Sequence, residues 1–168
     1  MTEIVDAQTP EHLAAVRHLC WEYRDFLRGL GPLDAQIVDL FYPKDKYARL
    51  MDRLAAEHAP PGGAIRLAMQ EGVPVGCGMF HTLAPGTAEI KRVYVTQAAR
   101  GTGAGRALMQ ALIAQCRRVG FARILMDTSK PLTAAQALYV DLGFRPRGPY
   151  QPVPEPARDR LLFFEMAL

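Results

Sequence analysis

The run Arg100-Gly101-Thr102-Gly103-Ala104-Gly105-Arg106 holds the residues of this chain best suited to chemistry. Glycine at three alternate positions lets the backbone approach a ligand without a Cβ in the way. The run follows a segment rich in valine and tyrosine, Val93-Tyr94-Val95, and opens a stretch with Leu108, Ala111, Leu112 and Val119 on one helical face. A strand-to-helix junction of this kind presents backbone N–H groups without helical partners, at the positive end of the helix dipole. It suits a phosphate or pyrophosphate. Thr102 adds a hydroxyl, and Arg100 and Arg106 add positive charge.

Two phosphate-loop types fit less well. A Walker loop requires Gly-Lys-Ser/Thr, whereas this one ends Gly105-Arg106-Ala107. A Rossmann loop sits early in its βαβ unit and has an acidic residue about twenty positions on. Asp127 stands at a tolerable distance, but the loop follows the fourth predicted sheet strand and is led by an arginine. No Cys–His or Ser–His constellation supplies a covalent nucleophile. Histidines 12, 18, 58 and 81 lack ligand spacing, so no metal is expected. Cys116 shares a helical face with Leu108 and Leu112 and reads as a small apolar core residue.

The elements that must hold this loop are legible on either side of it. Residues 3–6 read as a strand, and Thr9-Pro10-Glu11 starts a helix with a hydroxyl cap and proline at its first position. Leu13, Val16, Cys20, Tyr23 and Leu27 form its apolar stripe. Arg17, Trp21, Arg24 and Arg28 form a second face, either a solvated flank or the border of an acidic substrate. A helical region spans 33–58, broken near Pro43, with Tyr47, Leu50, Met51 and Leu54 inward. Strands are predicted at 64–70, 73–83 and 88–96, with turns at Glu71-Gly72 and Pro85-Gly86. Then come a helix at 103–119, a strand at 122–128, a helix at 132–142, a strand from Phe144, a proline-rich loop at 146–156 and a last strand at 161–168. This order gives an α/β (α+β) fold with a mixed sheet.

At 168 residues the chain reads as one domain, 1–168. A net charge of +3 with interspersed acids gives no electrostatic case for nucleic acid. No apolar run approaches a membrane span, and the acidic N-terminus is no signal peptide. Three cysteines without CxxC spacing fit a reducing compartment, so a cytoplasmic protein is expected, as monomer or homodimer.

Val95 through Gly105, followed by Ala107-Leu108, resembles the acetyl-CoA signature of the GCN5-related N-acetyltransferase (GNAT) superfamily. The block Ala134-Ala135-Gln136-Ala137-Leu138-Tyr139-Val140-Asp141-Leu142-Gly143-Phe144 is similar to that superfamily's later helix and its Leu-Gly-Phe turn. The resemblance covers roughly residues 88–145. It implies a mixed sheet of about seven strands flanked by about four helices, in which the strands at 88–96 and 122–128 splay apart. Acetyl-CoA, as co-substrate, would lie in the opening, its pantetheine arm on Val93, Tyr94 and Val95 and its pyrophosphate on Arg100, Gly101, Thr102, Gly103, Ala104, Gly105 and Arg106. Transfer to a small-molecule or peptide amine would be direct. Tyr139 matches the tyrosine that protonates the departing thiolate, and Glu89 matches a general-base position, with His81 a weaker alternative. Glu89 also reads as a strand-end charge paired with Lys91 or Arg92. Leu132 departs from the usual asparagine, leaving Thr128, Ser129 or Thr133 as substitute contacts. Tyr150 and Trp21 are candidate linings of the acceptor side. A GNAT-fold acyl-CoA sensor without turnover is the alternative reading.

Overall fold

The computed structural model describes all residues from Met1 to Leu168. Seven strands form one sheet in the order β1-β2-β3-β4-β5-β7-β6. They are β1 (Thr2–Asp6), β2 (Ala64–Gln70), β3 (Val73–Ala84), β4 (Thr87–Val95), β5 (Arg123–Ser129), β6 (Arg145–Arg147) and β7 (Leu161–Ala167). All neighbours pair antiparallel except β4 and β5, which run parallel. Five helices cover the sheet: α1 (Pro10–Arg28), α2 (Pro32–Phe41), α3 (Lys44–Glu57), α4 (Ala104–Val119) and α5 (Thr133–Leu142). The mixed seven-stranded sheet and the order of elements along the chain are those expected. The count of helices rises by one because Pro43 splits the 33–58 region. Tyr42 before it leaves helical geometry, with φ −133° and ψ 61°, as a residue preceding proline tends to do.

Period-two alternation sorts the strand side chains into two cores. On one face Phe80, Ile90, Ile124, Met126 and Phe164 pack against Leu112 and Ile113 of α4 and Tyr139 of α5. On the other Leu67, Cys77, Met79 and Tyr94 meet Val16, Leu19 and Cys20 of α1 and Tyr47, Met51 and Leu54 of α3. Helix α4 lies so close to β3 that a Cβ on Gly78 would stand 2.9 Å from Leu112 Cδ1. Cys116 is fully buried in the first core, as its helical position implied.

Helix α1 begins where expected: Thr9 Oγ1 accepts from the His12 amide at 3.2 Å, and Pro10 follows the cap. Its arginine face, however, is not a solvated flank. Arg24 is buried, its Nε donating to the Tyr42 carbonyl at 3.0 Å and its Nη2 to Asp39 at 3.4 Å. Arg28 Nε donates to the same Asp39 at 2.9 Å. The face is used to dock α2, which turns back over α1 after Gly31. No helix is long and apolar enough to cross a membrane.

Candidate active site

The parallel pairing of β4 with β5 lasts only three residues: Thr87 with Arg123, Ala88 with Ile124 and Glu89 with Leu125. Beyond Glu89 the strands part, because β5 stays registered on β7 as far as Ser129 while β4 stays on β3 as far as Val95. The opening is a cavity of about 670 Å³. Its walls are Ile90 to Val95 of β4, Met126 to Ser129 of β5, and residues of α1, α2 and α5.

A bulge in β4 helps turn the strand away. Cys77 pairs with Tyr94 and Met79 with Lys91, so Gly78 alone faces both Arg92 and Val93. Arg92 takes up the extra length with φ +54°. A left-handed arginine costs roughly 1 kcal/mol or more and persists only where the surrounding pairing demands it. Here the β3 register on both sides imposes it.

The glycine loop lies at the mouth of the cavity. Gly101 and Gly103 have φ +80° and +90°, and Gly103 caps α4 without any side-chain hydrogen bond. The N–H groups of Gly101, Gly103, Ala104, Gly105 and Arg106 find no backbone acceptor within the chain. All five residues line the cavity. Val93, Tyr94, Val95 and Arg100 line it too. Thr102 does not. Its hydroxyl donates to the Ala99 carbonyl at 2.6 Å and accepts from Gln70 Nε2 at 2.8 Å, and its N–H turns to Ala99. Thr102 thus braces the loop from outside. The two arginines are likewise engaged: Arg100 Nε donates to Val95 O at 3.2 Å with its guanidinium over the Phe26 ring, and Arg106 Nη2 pairs with Asp141 at 2.6 Å. Backbone amides and the helix dipole are therefore the loop's ready anion donors.

Tyr139 reaches the cavity from α5, its ring edge-on to Phe144 and Phe164. Burial, with a smaller contribution from the charge of Asp127, pushes its hydroxyl up to about 12. It is a phenol throughout the neutral range. Leu132 stands at the start of α5 without capping it, and it lines the cavity together with Thr128, Ser129 and Thr133.

Glu89 is buried at the fork, just before the strands part. His81 Nε2 lies 2.7 Å from its Oε1, Lys91 Nζ lies 3.7 Å from the same oxygen, and Tyr150 Oη donates to Oε2 at 2.5 Å. Burial opposes its charge, but the His81 bond, the Lys91 charge and the Tyr150 bond outweigh it and hold the carboxyl below its usual range. Glu89 does not itself line the cavity, and neither do His81, Tyr150 or Trp21. Trp21 instead packs edge-on against Tyr47 at 4.9 Å between ring centres. Tyr150 closes over Glu89, and the next residues, Gln151 to Val153, reach the cavity in its place.

Some of the chamber went unread in the sequence. Lys91, Arg92 and Asp127 line it, as do Ile37 and Phe41 of α2 and Tyr42 just past its end. Asp127 was legible only as a spacing from the glycine loop, and the α2 residues only as part of a helix. No cluster of His, Cys, Asp and Glu has the arrangement of a metal site.

The model of the acetyltransferase (GNAT) family matches residues 17–144, and the chain belongs to that family. It is 31% identical to an IAA acetyltransferase of Azospirillum brasilense over 147 residues, covering 82% of this chain and 94% of that one. A GNAT-family acetyltransferase structure from Staphylococcus aureus superposes with a TM-score of 0.77 at 15% identity, over 99% of both chains. A Salmonella typhimurium structure with its cofactor acetyl-CoA superposes with a TM-score of 0.66 at 20% identity, over 99% of this chain and 93% of that one.

Proposed function

We propose that this protein moves the acetyl group of acetyl-CoA directly to a primary amine. The observation that carries the reading is the parting of β4 from β5 after Glu89, which opens a chamber leading to the five free amides of the glycine loop. Extended backbone at Val93, Tyr94 and Val95 lies on the edge that β5 leaves, where an amide-bearing pantetheine arm can pair as a strand does. The pyrophosphate belongs on the N–H groups of Gly101 and Gly103 to Arg106. The side chains of Arg100, Thr102 and Arg106 are secondary to those amides.

The acceptor enters from the side of α1 and α2. Its nitrogen attacks the thioester carbonyl, the new C–N bond forms, and the C–S bond breaks. A β4 amide near Val93 to Val95 stabilises the developing oxyanion. Tyr139, protonated at neutral pH, gives its proton to the thiolate as it leaves. The amine's proton passes to Glu89 through a water, since that carboxylate does not line the chamber, and His81 continues the path outward. Asp127 does line it, and burial raises its carboxyl above the usual range despite the Lys91 charge. It is the second carboxylate able to take the proton.

The sealed position of Glu89 and the leucine at 132 favour one other reading, an acyl-CoA sensor without turnover. Thiol release from acetyl-CoA across a panel of amines separates the two. Amine-dependent release, with matching N-acetylated product by mass spectrometry, is the result expected. Tight acetyl-CoA binding with no release from any amine would establish the sensor.

A further inference from the structure

The bulge in β4 does more than bend the strand. Strand alternation sends Ile90 and Val93 to the α4 core, Val95 toward Ala104 and Leu108 of α4, and Tyr94 to the α1 core. Lys91, opposite in phase to Ile90, faces the α1 and α2 side, where its charge is felt with those of Glu89 and Asp127. The extra residue, Arg92, is inserted beside it, so two consecutive cations line one chamber.

These two cations differ in their partners. Lys91 has Glu89 at 3.7 Å and Asp127 nearby. Arg92 has no carboxylate within 4 Å, and its one hydrogen bond is a weak contact of 3.9 Å to Met79 Sδ. Besides the adjacent Lys91 cation, its field reaches uncharged groups: Tyr23 of α1, Tyr47 of α3, His58, and the thiols of Cys20 and Cys77. Every other half-buried or buried arginine donates to at least one oxygen acceptor, although Arg160 leaves its Nε unpaired. Arg17 donates to Met51 O, Arg24 to Tyr42 O and Asp39, Arg66 to Asp6, Arg147 to Glu165, and Arg160 to Asp34. The guanidinium of Arg92 is half-buried, no nitrogen of it is both buried and unpartnered, and it lines the chamber, so its free N–H groups are open to the oxygens of a ligand there.

We propose that Arg92 binds a carboxylate of the acceptor, and that the acceptor is therefore a small amino-carboxylate with an apolar or aromatic body. A single planar guanidinium matches a carboxylate in a two-bond fork. The helix-side walls of the same chamber (Tyr23, Ile37, Val38, Phe41, Tyr42 and Tyr47) fit an apolar body rather than a polar chain. This rests on the acetyl-transfer reading and adds to it the chemical class of the acceptor.

The test compares L-phenylalanine and L-leucine with their carboxamides as acceptors, by thiol release, in the wild type, Arg92→Gln and Arg92→Lys. Thermal unfolding with acetyl-CoA is measured on each protein. The carboxamide amine is the easier of the two to deprotonate, so any preference for the acid reports binding of its carboxylate. The wild type should favour the acids in kcat/KM by roughly 10- to 100-fold, the range of a charged hydrogen-bonded pair. Arg92→Gln should bring acid and amide to one level, chiefly by raising KM for the acid, and Arg92→Lys should restore part of the preference.

Equal use of acid and amide by the wild type, with release observed, would overturn the carboxylate inference and leave acetyl transfer standing. A preference for the acid that survives in both variants would remove Arg92 from the role. Release from none of the four acceptors, with an intact acetyl-CoA shift, would overturn the proposed acceptor class. Loss of that shift in the wild type would show that the acetyl-transfer reading itself had failed.

Discussion

Replacing Gly103 by glutamate is expected to weaken acetyl-CoA binding by on the order of 100-fold or more, because it sets a carboxylate where the pyrophosphate belongs. Two costs must be separated. Gly103 has φ +90°, a conformation that L residues rarely adopt, so any side chain there adds backbone strain of about 1–2 kcal/mol. Space is not a cost, since a Cβ at this position meets nothing within 4 Å. Gly103→Gln isolates the strain, because glutamine is the neutral isostere of glutamate and carries the same left-handed backbone penalty without the charge. Titration calorimetry with acetyl-CoA should show a severe loss for glutamate and a small one for glutamine. Equal, small losses in both would mean that no phosphate approaches the start of α4.

Tyr139→Phe should lower kcat by roughly 100-fold while changing acetyl-CoA affinity little, as expected when a general acid is removed. The ring stays: its edge contacts with Phe144 and Phe164 survive the substitution, so folding should be preserved. The pH dependence follows from the sign of the shift. Burial raises the hydroxyl to about 12, so the acid is protonated below that value and its contribution is lost only as pH rises through it. The wild type should therefore show no alkaline decline in kcat from this group up to about pH 10. Stopped-flow thiol release with a saturating amine would measure both. Unchanged turnover in the phenylalanine variant would take Tyr139 out of the reaction.

What could be read from the sequence was what neighbours along the chain decide. The cap at Thr9, the break at Pro43, the β3 and β4 turns and the start of α4 all depend on residues within a few positions of one another. The same holds for the glycine loop, whose free amides follow from a strand ending and a helix beginning. What escaped depends on distant pairing. The bulge at Arg92 exists because β3 holds register on either side of Gly78, and no pattern within β4 announces it. The bond from Tyr150 to Glu89 spans 61 residues. It turns a candidate cleft lining into a cover over the candidate base. The α1 arginines looked like a solvated face because Asp39 and the Tyr42 carbonyl reach them only once α2 folds back. Thr102 looked like a ligand hydroxyl, but Gln70 at the end of β2 and the Ala99 carbonyl claim it.

The most direct test of the account is thermal unfolding of the wild-type protein with acetyl-CoA, and separately with NAD and ATP. A ligand that binds only the folded state adds about 2.7 kcal/mol at 100 times its dissociation constant. For a domain of this size that moves the midpoint by roughly 5–10 °C. The account predicts such a rise with acetyl-CoA and none with NAD or ATP. No rise with acetyl-CoA, or an equal one with NAD, would contradict the assignment of the β4–β5 cleft and its glycine loop to acetyl-CoA.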